Sequence, residues 1–175
     1  VDVSKKKEVE AFGDFVTAIG VVDILVNNAG IFLPGQVHDE EDGIFEQLMT
    51  TNLNSAYYLT RKLITSMKDA KSGHVFNMCS TASVMPYING GSYCISKYAM
   101  LGMTKVLREE MKSFDVKVTA IMPGATYTAS WEESDMPEDR FMKSEDVADS
   151  VFSAYSLSKS AVVEEIIIRP QLGDI

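Results

Sequence analysis

The sequence has few of the residues that build metal centres and disulfide frameworks. Its 175 residues include two cysteines, Cys79 and Cys94, and two histidines, His38 and His74. Their spacing matches no zinc motif, so we predict no metal site. Two isolated cysteines in apolar surroundings are typical of core residues in a protein of the reducing cytoplasm.

Positive charge and long apolar runs are also scarce. The net charge is -9 and no basic stripe occurs, which argues against a nucleic-acid partner. No apolar run reaches the roughly 18 residues of a membrane span, and nothing resembles a signal peptide, so we expect no membrane association. The length and the 46% hydrophobic composition are typical of one globular domain, which we assign to residues 1–175.

Short apolar runs alternate with amphipathic stretches along the chain. The apolar runs predict strands, at residues 21–26, 74–79, 116–122 and 162–169. The amphipathic stretches predict helices, at residues 5–19, 41–70, 92–114 and 145–157. Alternating helices and near-continuous apolar strands indicate an α/β fold with a doubly wound, mostly parallel sheet that is covered on both faces.

Tyr93 and Lys97 stand four residues apart, a spacing that places both side chains on one face of a helix. A lysine ammonium beside a phenol favours the phenolate, so we expect Lys97 to lower the pKa of Tyr93. A tyrosine tuned in this way exchanges a proton with a substrate oxygen. Ser80, at the end of the second predicted strand, could hold the same oxygen with its hydroxyl.

The other polar candidates also follow predicted strands. Asn27-Asn28-Ala29-Gly30 comes after the first strand, Ser80 after the second, and Pro123-Gly124 after the third. Ligands of open parallel sheets bind beyond the carboxyl ends of the strands. The convergence therefore predicts one site at this edge of the sheet.

Five elements resemble, in order and spacing, the motifs of the short-chain dehydrogenase/reductase family: Asn27-Asn28-Ala29-Gly30, Asn52, Ser80, Tyr93-x-x-x-Lys97 and Pro123-Gly124-x-x-x-Thr128. The similarity is to compact members such as 3-oxoacyl carrier-protein reductases, and it extends from Asp2 to the region of Gly173. Tyr-x-x-x-Lys alone is a weak signal, whereas the five elements together are highly specific. The resemblance implies a Rossmann-like fold and an oxidoreductase that uses NADP or NAD, with NADP preferred.

The resemblance also assigns catalytic roles. Tyr93 would be the general acid in carbonyl reduction and the general base in alcohol oxidation. Lys97 would lower the pKa of Tyr93 and hold the nicotinamide ribose, and Ser80 would hydrogen-bond the substrate oxygen. Asn52 would hold a water that links Lys97 to solvent.

The cofactor-binding residues implied by the resemblance lie at the strand ends. An acidic–apolar pair, Asp2 and Val3, would contact the adenine, and the strand-end residues Asn28, Ala29 and Gly30 would line the adenosine ribose. The segment after the third strand would contact the carboxamide and phosphate side of the cofactor. It would do so through Pro123, Gly124, the backbone of Thr126 and the hydroxyl of Thr128.

Several of these assignments have rivals close by. Asn54 competes with Asn52, and Thr81 and Ser83 compete with Ser80; the family spacing favours Asn52 and Ser80. Two further alternatives stay open. Tyr87, Ile88 and Asn89, between Ser80 and Tyr93, either line the substrate pocket or do not, and Trp131 is either a substrate-lid residue or a packing residue.

One part of the family pattern is missing. A first strand and glycine-rich phosphate loop should lie about 55–60 residues before Asp2. We therefore expect an N-terminally incomplete chain without the first βαβ segment, which also selects between NAD and NADP. Two hypotheses stay open: an enzyme whose isolated chain has little activity, and a non-catalytic scaffold that no longer binds cofactor.

The resemblance finally implies partners. A small-molecule carbonyl or alcohol is the expected substrate, and the sequence does not identify it. A homodimer or homotetramer is expected, in which the helices predicted at 41–70 and 92–114 pack against their mates.

Overall fold

The computed structural model describes residues 1–131 and 135–174. A parallel sheet forms its centre, in the order β1-β2-β3-β4. The strands are β1 (Ile24–Asn27), β2 (His74–Met78), β3 (Lys117–Pro123) and β4 (Glu165–Ile168). In the register, Leu25 pairs with Val75, and Val75 pairs with Val118. The predicted α/β class with a Rossmann-like parallel sheet is confirmed.

Helices cover both faces of the sheet, as the apolar strands require. The helices are α1 (Lys6–Ile19), α2 (Ile44–Met49), α3 (Ser55–Ala70), α4 (Gly91–Met111) and α5 (Ser144–Tyr155). Helices α3 and α4 bury their apolar faces on one side of the sheet, and α5 packs on the other side. Helix α1 lies against α3, where Gly13 closely approaches Lys62.

The central strands form the core, and the edge strand β1 differs from them. Phe76 of β2 and Ile121 of β3 are fully buried, as the apolar runs predict. In β1, Leu25 is buried but Ile24 and Val26 are 40% and 43% exposed. Burial on both faces is therefore a wrong prediction for β1, because Val26 faces open cavities at the site rather than a helix.

The helix predicted over residues 41–70 is not continuous. It begins at Ile44 and is interrupted by a π-helical turn at Thr50–Asn54. In this turn the Ser55 N–H bonds to the carbonyl of Thr50, five residues earlier, so the turn contains one residue more than an α-helical turn. Such turns are frequent at functional sites, and this one contains Asn52.

Within residues 1–131 and 135–174, no helix is both long enough and apolar enough to cross a bilayer.

Candidate active site

The carboxyl ends of β1, β2 and β3 meet at one edge of the sheet, and the predicted site residues gather there. Asn28 and Gly30 follow β1, Ser80 follows β2, and Gly124 follows β3. Helix α4 crosses the same edge and brings in Tyr93 from its first turn. The convergence predicted from the strand ends is therefore what the fold produces.

Lys97 is buried beneath Tyr93 on the same face of α4. Its ammonium nitrogen lies 5.8 Å from the centroid of the Tyr93 ring, in agreement with the four-residue spacing. The ammonium donates a 2.8 Å hydrogen bond to the carbonyl oxygen of Met78, the last residue of β2. Burial lowers the pKa of Lys97 to about 8.

The pKa of Tyr93 shifts in the direction opposite to the sequence prediction. Burial raises the pKa of Tyr93, while hydrogen bonding with the Ser80 side chain lowers it and does not cancel the rise. The Lys97 ammonium is engaged with the Met78 carbonyl. Desolvation of the phenolate therefore dominates, and the predicted lowering by Lys97 is wrong for this structure.

Ser80 begins a short 3-10 turn that holds its hydroxyl at the site. Its Oγ accepts a 3.1 Å hydrogen bond from the Ala82 N–H, and its own N–H donates to the Ser83 hydroxyl at 3.2 Å. The Ser80 hydroxyl lies 3.5 Å from the carbonyl oxygen of Pro123, a contact too long to occupy its proton firmly. The hydroxyl can therefore donate to a substrate oxygen.

The rivals of Ser80 and Asn52 have different surroundings. Ser83 is fully buried and accepts the bond from Ser80, so it supports the turn. Thr81 borders the same cavity as Ser80. Asn52 is fully buried in the π-helical turn, whereas Asn54 is only partly buried.

The Asn52 side chain connects three segments of the site. Its Oδ1 accepts from the Ile31 N–H at 2.8 Å, and its Nδ2 donates to the Ile31 carbonyl and to Ser96 Oγ, each at 3.0 Å. The Ser96 hydroxyl in turn donates to the carbonyl of Tyr93 at 2.7 Å. Both amide hydrogens of Asn52 are thus used, and the predicted water link to Lys97 stays a prediction.

Two cavities meet at Tyr93. The first, which we call the aromatic cavity, has a volume of about 320 Å³ and is bordered by Phe32, Ser80, Tyr87, Tyr93, Trp131 and Asp174. The second, which we call the lysine cavity, has a volume of about 540 Å³ and is bordered by Asn28, Gly30, Tyr93, Lys97, Thr126 and Thr128. The edge of the Phe32 ring packs on Tyr93 with the centroids 4.9 Å apart, and both rings border both cavities.

The four residues left open between a role at the substrate pocket and packing lie in different surroundings. Tyr87 borders the aromatic cavity. Trp131 does so as well, and it also packs on Phe141 with ring centroids 5.1 Å apart. Ile88 is 84% exposed, and the Asn89 carbonyl instead accepts a bond from the Gly35 N–H.

The lysine cavity fits a nicotinamide cofactor in its polar groups and in its space. A Cβ added at Gly30 would stand 3.3 Å from Asn52 Oδ1 and 3.5 Å from the Lys97 ammonium, so a side chain there would fill the approach to both. Thr126 and Thr128 face the same cavity from the segment after β3. The hydroxyl of Thr126 bonds back to the Gly124 carbonyl at 3.1 Å.

A smaller cavity of about 120 Å³ lies at the expected adenine end. Val3, Asn28 and Ala29 border it. The carboxylate of Asp2 instead accepts from the N–H and hydroxyl of Ser4 at 3.0 and 2.7 Å. These bonds lower the pKa of Asp2 to about 2. Of the predicted pair, Val3 therefore reaches the cavity while the Asp2 carboxylate is held locally.

Sequence reasoning missed several contributors to the site. Phe32 and Asp174 border the aromatic cavity, the Met78 carbonyl holds Lys97, and Glu40 bonds to Ser92 next to Tyr93. None belongs to a motif, and their roles depend on partners that are distant in the sequence. Across the described parts of the chain, no group of three or more His, Cys, Asp or Glu side chains is arranged to hold a metal ion.

Comparisons with known proteins show the family to which the chain belongs. Residues 1–139 match the family model described as short chain dehydrogenase. Sepiapterin reductase from Chlorobaculum tepidum is 37% identical over 161 residues, which are 91% of this chain and 66% of that protein. An uncharacterised oxidoreductase from Staphylococcus aureus is 28% identical, with 97% of this chain and 74% of that protein covered.

Solved structures give the same result. A metagenomic short-chain oxidoreductase in complex with NADP has a TM-score of 0.80 and 28% identity, covering 97% of this chain and 72% of that one. Alcohol dehydrogenase from the archaeon Thermococcus sibiricus, complexed with 5-hydroxy-NADP, has a TM-score of 0.88 and 25% identity, covering 98% and 73%. The chain thus spans about two thirds to three quarters of the length of these relatives. It belongs to the short-chain dehydrogenase/reductase family of oxidoreductases.

Proposed function

We propose that residues 1–175 form a single domain carrying the catalytic centre of an oxidoreductase that interconverts a small carbonyl compound and its alcohol with NADP or NAD. The observation that carries this proposal is the place of Tyr93 between two cavities. Ser80 stands beside it in the aromatic cavity, and Lys97 stands beside it in the lysine cavity. The NADP complexes of the related structures favour NADP.

The residues that would hold the cofactor are Asp2, Val3, Asn28, Ala29, Gly30, Tyr93, Lys97, Pro123, Gly124, Thr126 and Thr128. All but Asp2 and Gly124 border the lysine cavity or its smaller neighbour; Asp2 precedes Val3 in the chain, and Gly124 borders the aromatic cavity. When bound, the cofactor supplies a hydride to the carbonyl carbon or accepts one from the alcohol carbon. The closeness of Gly30 to Asn52 and Lys97 supports this assignment, because a larger residue would obstruct the cavity.

Tyr93 would donate its hydroxyl proton to the carbonyl oxygen during reduction and take it back during alcohol oxidation. Ser80 would donate a hydrogen bond to the same oxygen as negative charge develops on it. Because burial raises the pKa of Tyr93, the phenol is protonated at neutral pH, which suits the general acid of the reduction.

Asn52 would act on Tyr93 through Ser96. The chain of hydrogen bonds from Asn52 to Ser96 and on to the Tyr93 carbonyl fixes the first turns of α4 against the loop at Ile31. The water link between Asn52 and Lys97 would then use the remaining acceptor capacity of Asn52, since both of its amide hydrogens are taken.

The aromatic cavity suggests the class of substrate. Phe32, Tyr87 and Trp131 provide ring faces and edges, and the Asp174 carboxylate, whose Oδ2 is paired with Arg169 at 3.4 Å, provides an acceptor through its other oxygen. An aromatic carbonyl compound that carries N–H donors would match these groups. Sepiapterin, a pteridine ketone named in the 37% identical relative, is therefore the first candidate.

The test is reduction of sepiapterin by NADPH in the full-length protein and in Tyr93→Phe. We expect Tyr93→Phe to remove nearly all turnover while its fold and NADPH binding persist. Binding is measured as thermal stabilisation, which amounts to about 2.7 kcal/mol at 100 times the Kd. Unchanged turnover in Tyr93→Phe would reject the mechanism, and the lack of any NADPH effect would favour the non-catalytic scaffold.

We also propose a homodimer or homotetramer in the cytoplasm. Helices α3 and α4 expose large side chains that an interface would cover, including Tyr57, Tyr98 and Val106, each at least 43% exposed. Light scattering at micromolar concentration measures the assembly, and a monomer would contradict the proposal.

A further inference from the structure

We propose that Glu40 is a positioning residue for the reaction, because it fixes the start of helix α4 and with it the place of the Tyr93 hydroxyl beside Ser80. The inference rests on the proposed function, in which Tyr93 transfers the proton. Glu40 belongs to no motif, and it lies far from Tyr93 in the sequence.

The carboxylate of Glu40 makes two bonds to Ser92, the residue before Tyr93. The Ser92 N–H donates to Glu40 Oε1 at 2.8 Å, and the Ser92 hydroxyl donates to Oε2. Ser92 is only 3% exposed. A carboxylate is well placed here, because the first turn of a helix has unsatisfied N–H groups and a positive dipole end.

The backbone around Glu40 is shaped to admit this carboxylate. A Cβ added at Gly35 would stand 2.6 Å from Glu40 Cγ, and a Cβ at Gly91 would collide with Oε1. Gly91 also has a φ of 28°, in the left-handed region. The Gly35 N–H bonds to the Asn89 carbonyl at 3.0 Å, so the loop is joined to the chain just before α4.

Residues 30–40 form a strap between the cofactor side of the site and the catalytic helix. Ile31 is bonded to Asn52, Phe32 packs on the Tyr93 ring, and Glu40 holds Ser92. Ser80 comes from a different element, the end of β2. Release of Glu40 would therefore let the Tyr93 ring move relative to Ser80, and small misplacements of reacting groups are costly in rate.

The experiment compares variants of the full-length protein in NADPH-dependent reduction of sepiapterin, or of whichever carbonyl compound in a panel the protein reduces. We expect Glu40→Ala to lower kcat on the order of 10- to 100-fold and to leave the KM for NADPH within about twofold. The solvent isotope effect on kcat should rise, because proton transfer becomes slower. Glu41→Gln, at the exposed neighbouring residue, should match the unmodified protein.

Two milder variants keep the test informative if Glu40→Ala does not fold. Glu40→Gln retains an acceptor for the Ser92 N–H, and Ser92→Ala removes only the hydroxyl bond, so both should give intermediate losses of kcat. Unchanged kcat in these variants, or a loss of kcat without a larger isotope effect, would overturn the role of Glu40 while the loss of turnover in Tyr93→Phe stands. Unchanged turnover in Tyr93→Phe would instead reject the proposed function itself.

Discussion

The Lys97 ammonium donates to the carbonyl oxygen of Met78 over 2.8 Å, so a buried cation links the catalytic helix to the end of a central strand. Only 6% of Lys97 is exposed, and its surroundings provide no carboxylate among the groups that shift its pKa. The charge is therefore held by a backbone dipole, which compensates less than an ion pair would. A group held in this way costs folding free energy.

Lys97→Met should stabilise the fold near neutral pH. The pKa of Lys97 falls from 10.5 to about 8 on folding, so between these values the unfolded state binds more protons and stability rises with pH. Below pH 8 the full cost of burying the charged Lys97 applies, so the free energy of unfolding of the variant should be higher by on the order of 2 kcal/mol. Urea unfolding near pH 7 and near pH 10.5 measures this, and the gain should shrink at the higher pH. A variant less stable near pH 7 would contradict the expectation.

Ser80→Ala should damage turnover more than folding. It removes the proposed donor to the substrate oxygen, so kcat should fall on the order of 100-fold. Ser83→Ala is the matched control, because its buried hydroxyl supports the same turn by accepting the Ser80 N–H. That variant should lose about 1 kcal/mol of stability and keep most of its turnover. Equal losses of kcat in both would show that the turn, rather than the Ser80 hydroxyl, matters.

Gly30→Ala should weaken NADPH binding. The added methyl group would stand 3.3 Å from Asn52 Oδ1 and crowd the Lys97 ammonium. We expect the Kd for NADPH, measured by titration calorimetry, to rise about tenfold, which corresponds to about 1.4 kcal/mol. Gly20→Ala is the control, since Gly20 is exposed at the end of α1 and a Cβ there meets no described heavy atom within 4 Å. That variant should bind NADPH normally. Normal NADPH binding by Gly30→Ala would argue against Gly30 as a cofactor contact.

His74 is buried in its neutral form. Its Nε2 lies 2.7 Å from the Thr119 hydroxyl oxygen, which donates its own proton to the Val163 carbonyl and so must accept from Nε2–H. The buried Nδ1 has no hydrogen-bond partner among the described residues. Protonation would therefore bury a charged donor without an acceptor. Burial, with the nearby Lys117 charge, lowers the pKa of His74 to about 4.

This arrangement makes the free energy of unfolding depend on pH in mildly acidic solution. The unfolded state takes up a proton near the usual pKa of 6.5, so stability should fall as the pH drops from about 6.5 toward 4, by on the order of 2 kcal/mol. Urea unfolding across this range measures the slope. His74→Gln should lose most of this pH dependence, whereas His38→Gln, at an exposed position, should keep it. An unchanged slope in His74→Gln would assign the effect to other groups.

Much of the fold and part of the site could be predicted because they depend on local patterns. Alternating apolar runs indicated the sheet, and the ends of its strands brought Ser80 and Gly30 near Tyr93. The four-residue spacing placed Lys97 beneath Tyr93. Each of these depends on residues close in the sequence, or on the shared direction of parallel strands.

The rest depends on distant partners that periodicity does not contain. The sign of the Tyr93 pKa shift follows from burial and from the direction of the Lys97 ammonium, and both require the packed structure. Glu40 looks like a solvated acidic residue until the loop brings it to Ser92. In the sequence, β1 has the pattern of a strand buried on both faces, and only the packed structure places Val26 beside the cavities.

The π-helical turn at Thr50–Asn54 restricts how the length of this chain can change. Deleting one residue there would restore an ordinary α-helical turn, and the backbone hydrogen bonds would close without a gap. It would also rotate α2 against α3 by about 100°, the angle of one residue in an α-helix. Asn52 would then leave Ile31 and Ser96. A deletion that preserves the helix would thus still disrupt the active centre. Selection for activity should therefore retain the extra residue in active relatives.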